Sequence, residues 1–123
     1  MERPLRLIMK WTELNSEQQI EQIKEESKTQ PVLIFKHSTR CAISATTLNR
    51  LERNWKPEEV TALKMYYLDL LSYRNISQRV AESFDVEHES PQVLILREGN
   101  PVYVRSHFDI AFNEIQKIVP AKN

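Results

Sequence analysis

Phe35-Lys36-His37-Ser38-Thr39-Arg40-Cys41-Ala42-Ile43-Ser44 is the stretch on which the reading of this chain turns. The apolar run Val32-Leu33-Ile34-Phe35 leads into it, a short polar turn follows, and the sole cysteine of the 123 residues opens a predicted helix. A sulfur at the start of a helix meets unpaired backbone N–H groups and the positive end of the helix dipole, which favour thiolate over thiol. Lys36, His37 and Arg40 are expected to add positive potential. The competing reading is a free cysteine packed as a small hydrophobe, which the polar and basic flanks argue against. Ser44 follows three positions after Cys41, so on a helix the two side chains share a face. A serine there can hydrogen-bond a thiolate but cannot close a disulfide with it.

A chain of this length suits one domain, residues 1–123, with a core large enough to need no covalent staple. The 17 basic and 17 acidic side chains balance, which leaves no global field for nucleic acid or an anionic membrane. One cysteine allows no internal disulfide, so redox chemistry here has to be intermolecular. Cysteine-poor composition suits a reducing compartment. No run approaches the ~18 apolar residues of a membrane span, and Met1–Leu7 lacks a long apolar core. A cytoplasmic protein acting as a monomer is the expectation.

The pattern along the chain alternates strands and helices. Leu7 to Trp11 is predicted as an edge strand. Ser16-Glu17-Gln18-Gln19 has the form of a capping box, opening a helix that runs to about Lys28 with Ile20 and Ile23 inward. Val32–Phe35 is a continuous apolar run of the kind covered on both faces, placed at the sheet centre. Ile43, Thr47, Leu48, Leu51 and Trp55 mark the inner face of the helix after Cys41, which Pro57 stops. Leu63–Leu68 is predicted to pair in parallel with the 32–35 strand through that helix. Ile76, Val80 and Phe84 recur every four residues and mark a helix over about 73–84. Val93–Leu96 and Val102–Val104, joined through Gly99, read as an antiparallel hairpin. Asp109 is predicted to cap a last helix carrying Ile115, Ile118 and Val119. Trp55, Met65, Tyr67, Phe84 and Phe112 are assigned to the core.

The resulting order, β-α-β-α-β-α-β-β-α, with a cysteine at the start of the second helix and Pro91 just before the closing hairpin, resembles the thioredoxin fold: α/β, with a central mixed sheet flanked by helices. In that family the matching proline takes a cis peptide bond beside the reactive sulfur, which the resemblance assigns to Pro91. Within it, His37-Ser38-Thr39-Arg40-Cys41-Ala42-Ile43-Ser44 and Ser90-Pro91-Gln92 resemble the monothiol bacilliredoxins of the C type. The family's motif has proline directly after the cysteine, where this chain has Ala42, and that change bears on the start of the helix.

The resemblance implies removal of bacillithiol from protein mixed disulfides. Its partners would be bacillithiolated client proteins and bacillithiol itself, a thiol co-substrate rather than a bound cofactor. Cys41 would be the nucleophile, and Ser44 with the first N–H groups of the helix would stabilise its thiolate. Thr39 and Arg40 are placed to contact bacillithiol or client, although Thr39 also reads as an N-cap hydroxyl and Arg40 as a solvated charge. Ser90 and Pro91 would shape the groove beside the sulfur, with Ser90 offering backbone hydrogen bonds. His37 either tunes the thiol near neutral pH or is a polar loop residue. Two other classes stay open: an interaction module of the same fold whose cysteine does no chemistry, and a cluster-binding monothiol glutaredoxin-like protein. His37, His88 and His107 have no metal-ligand spacing with Cys41, so no metal site is expected.

Overall fold

The computed structural model describes residues 11–119 and shows five strands in one mixed sheet, ordered β1-β3-β2-β4-β5. The strands are β1 Thr12–Glu13, β2 Val32–His37, β3 Lys64–Asp69, β4 Gln92–Arg97 and β5 Asn100–Ser106. Among the described residues the helices are α1 Gln18–Glu26, α2 Ala42–Asn54, α3 Arg74–Phe84 and α4 Phe112–Ile118, with single turns of 3-10 helix at Pro57–Glu59 and His107–Asp109.

The central strand β2 pairs in parallel with β3 and antiparallel with β4, as its unbroken apolar run requires: all six of its residues are buried. Alternation divides its side chains between two cores. Leu33 and Phe35 join Leu51, Trp55, Tyr67, Val93, Ile95, Phe112 and Ile115 under α2 and α4. Val32 and Ile34 join Ile20, Ile23, Tyr66, Leu68, Ile76, Val80, Phe84, Leu94 and Leu96 under α1 and α3.

The hairpin turn has positive φ at both Glu98 (52°) and Gly99 (80°), the twist that a two-residue connection between antiparallel strands requires. The pairing shifts register between Ile95 and Leu96, where Pro101 stands in the edge strand β5 and so removes no needed ladder bond.

Several local expectations are corrected. The first strand lies at Thr12–Glu13, and residues 7–10 of the predicted strand fall outside the described residues. Only half of the capping box forms. Gln19 Oε1 accepts the N–H of Ser16 at 3.0 Å, but the N–H of Gln19 goes to the Ser16 carbonyl, and α1 starts two residues after Ser16. Ile43 is 43% exposed, because the buried stripe of α2 runs through Ser44, Thr47 and Leu51 and leaves position 43 one step off it. Asp109 ends a 3-10 turn instead of capping α4, whose N-cap is Ala111.

Candidate active site

The polar turn at the end of β2 is built around Cys41, the N-cap residue of α2. Its backbone is extended (φ −105°, ψ 120°), its N–H closes a turn onto the Ser38 carbonyl at 3.2 Å, and its carbonyl accepts the first helical bond from Ala45. With Cys41 at the N-cap, Thr39 is not the capping residue; both Thr39 and Arg40 are exposed on the turn. The Cys41 side chain is partly exposed and caps none of the first N–H groups of the helix, so the sulfur is accessible next to unsatisfied donors. Ala42, where the family motif has proline, is exposed and still opens the helix.

Ser44 is fully buried, and its hydroxyl binds the strand end together. Its Oγ accepts the N–H of Ser38 at 3.1 Å and lies 2.7 Å from Nδ1 of His37. His37, paired across the sheet with Asp69, stacks on Phe35 at 6.0 Å and sits 5.7 Å from the ring of Tyr67. Burial lowers its pKa, and the Asp69 carboxylate opposes that shift. The ring is thus neutral at pH 7 and forms the floor of the Cys41 turn, under Ser44.

Lys36 does not contribute to this side. As its neighbour on β2, it points to the opposite face, where its Nζ is 3.2 Å from the Ser77 carbonyl and 3.2 Å from Nδ1 of His88. Its expected positive potential at the sulfur is therefore carried by the other face of the sheet, a consequence of the strand continuing two residues beyond Phe35.

The peptide bond between Ser90 and Pro91 is cis, in accord with the resemblance. The antiparallel ladder of β2 and β4 ends at Lys36 and Gln92, so Pro91 stands at the same end of the sheet as the Cys41 turn. Pro91 is buried, and the hydroxyl of Ser90 is buried without a hydrogen-bond partner.

A relay that the sequence did not reveal ties this loop to α2. The Pro91 carbonyl accepts the N–H of His107 at 2.9 Å, and the His107 carbonyl accepts from the hydroxyl of Thr47 at 3.5 Å. Arg50, one turn further along α2, donates to the carbonyls of Phe108 (2.8 Å) and Ile110 (2.7 Å). No local sequence signal marks the Thr47 and Arg50 contacts, since they reach 58 to 60 residues along the chain. Among the described residues no group of three His, Cys, Asp or Glu side chains forms a metal-binding cluster, and no helix is long and apolar enough to cross a membrane.

A single accessible cysteine at a helix N-cap, at the sheet end that also carries a cis proline, defines a thioredoxin-fold thiol oxidoreductase. Solved structures share this fold. The chain is similar to a protein described as an oxidoreductase with a thioredoxin fold (28% identity, TM-score 0.74, covering 94% of this chain and 97% of that one). It shares the fold of thioredoxin from Trypanosoma brucei brucei (14% identity, TM-score 0.67, 95% and 93% covered). The same holds for thioredoxin from Malassezia sympodialis (16% identity, TM-score 0.66, 89% and 87% covered). The family model for the monothiol bacilliredoxin BrxC matches residues 12–115, and the chain belongs to that family.

Proposed function

We propose that this protein removes bacillithiol from protein mixed disulfides through Cys41. The observation that carries the reading is the placement of the one cysteine: partly exposed, at the N-cap of α2, with Ser44 where a resolving thiol would stand. The Cys41 thiolate attacks the bacillithiol sulfur of a client–S–S–bacillithiol bond. That bond breaks, the client leaves as a thiolate that takes up a proton, and a Cys41–bacillithiol disulfide forms. A second low-molecular-weight thiol then attacks this disulfide, is itself oxidised, and returns Cys41 to its reduced form. A monothiol protein needs that external reductant.

The first N–H groups of α2 and the hydroxyl of Ser44 are the groups offered for holding the thiolate, with Ser44 kept in place by His37 and Ser38. Thr39 and Arg40, exposed beside the sulfur, would meet bacillithiol or client, and the Ser90–Pro91 segment would receive the client backbone. The reading places the protein in the cytoplasm, acting as a monomer. The test is release of free thiol from a bacillithiolated client peptide. Wild-type protein is expected to release it and Cys41→Ser is not; equal release by both would overturn the proposal.

A further inference from the structure

The side of the sheet away from Cys41 holds a buried cation without a counter-ion. Lys36 is fully buried, and no carboxylate among the described residues pairs with it; its ammonium is held by the Ser77 carbonyl and His88 Nδ1. A buried ammonium facing only neutral acceptors is costly, and the cost falls when an anion comes near. Directly in front of Ser77 and His88 lies a cavity of about 280 Å³, lined by Leu70, Arg74, Ser77, Gln78, Ala81 and His88.

The lining is suited to one ligand chemistry. Arg74, in the first turn of α3, supplies an exposed guanidinium that forms no ion pair within the described residues. Ser77 supplies a hydroxyl, 3.3 Å from His88 Nδ1. Because Nδ1 of His88 receives the Lys36 ammonium, its proton sits on Nε2 as a further donor.

We infer that this cavity is a binding site for a small oxyanion, a carboxylate or phosphate group, held by Arg74, Ser77 and His88 with the Lys36 ammonium behind them. It is separate from the Cys41 site, since it opens on the opposite face of β2, and it does not depend on the thiol chemistry. The groups that set its charge are Lys36 on β2, Arg74 on α3, and His88 with the adjacent Glu89 in the loop before β4; burial and the Lys36 ammonium lower the His88 pKa against the pull of Glu89, whose own negative charge opposes an anion. Burial lowers the Lys36 pKa to about 8. Anion binding favours its protonated form, so by linkage affinity falls as pH rises through that value.

The test is titration of the full-length protein with inorganic phosphate and, separately, succinate, at constant ionic strength set with chloride, followed by backbone amide NMR. Saturable shifts in the segment 74–78 and at His88, from either probe, are expected. Arg74→Gln, a surface change that leaves the core intact, should weaken binding by about fivefold or more. Succinate, ionised throughout, should bind more weakly at pH 9.5 than at pH 7, where His88 is neutral in both cases. Non-saturating shifts, shifts scattered over all basic surface residues, or equal binding by Arg74→Gln would overturn the inference, as would affinity independent of pH.

Discussion

Nδ1 of His37 lies 2.7 Å from Oγ of Ser44, and through that contact the last residue of the central strand is tied to the first turn of the helix that carries Cys41. The same oxygen takes the Ser38 N–H, so one hydroxyl joins strand, turn and helix. Ser44→Ala would leave a buried imidazole nitrogen and a backbone N–H without partners. Each unsatisfied buried group costs about 1–3 kcal/mol, so the variant should unfold at clearly lower denaturant while its urea m-value stays that of the wild type. A midpoint equal to the wild type's would show that the bridge does not hold the turn.

The pKa values of His37 and His88 are both lowered, in each case first by burial. The unfolded chain then binds protons that the folded chain refuses. Stability from these two rings is present above about pH 6.5 and is lost as pH falls below it toward their folded values. Imidazole titration by NMR should give both midpoints below the ordinary value, and His37→Gln should show a smaller loss of stability between pH 7 and 5 than the wild type.

Glu52 has the opposite sign. Both of its carboxylate oxygens are buried without a hydrogen-bond partner, and burial raises its pKa to about 7, with the nearby indole N–H of Trp11 acting the other way. With the folded pKa raised, its contribution is most favourable below about pH 4.5 and is lost as pH rises through 7. Glu52→Gln should therefore gain about 1 kcal/mol at pH 8, a value reduced for the residue's partial exposure, and gain nothing at pH 4.5. Paired urea denaturations at the two pH values measure this difference.

Arg50 fastens the 107–110 segment to α2 through two carbonyls. Arg50→Ala should lower stability by about 1 kcal/mol and speed amide exchange at Ile110 and its neighbours, with the central strands unaffected. Since His107 in turn holds the Pro91 carbonyl, the variant should also slow thiol exchange with protein clients more than exchange with small disulfides.

The parts of the fold legible in the sequence were those set by side-chain period. Val32–Phe35, Leu63–Leu68 and the four-residue recurrence of Ile76, Val80 and Phe84 each fixed an element and its buried face, and the Gly99 turn fixed the hairpin. The nucleophile was legible because one cysteine follows a buried strand through a polar turn. Less was readable where a few residues of extra strand change everything: continuation of β2 through Lys36 and His37 sends the lysine to the far face and the histidine under Ser44. The ties from Thr47 and Arg50 to the 107–110 segment have no local signature, because they are made between residues about 60 positions apart. Helix starts at Ser16 and Asp109 were misplaced because the N–H groups of Gln19 and Ile110 go to the backbone carbonyls of Ser16 and His107 in turns, not to side-chain caps.

Nucleophilic attack by Cys41 on bacillithiol is the central proposal for this protein, and its intact mass reports that step most directly. Reduced wild-type protein, exposed briefly to a bacillithiolated client peptide, should gain the mass of one bacillithiol as the peptide thiol is freed, and Cys41→Ser should gain nothing. If the peptide keeps its modification while simple disulfide reagents still label Cys41, the bacillithiol assignment is contradicted. If nothing labels Cys41, the protein is an interaction module of this fold whose cysteine does no chemistry.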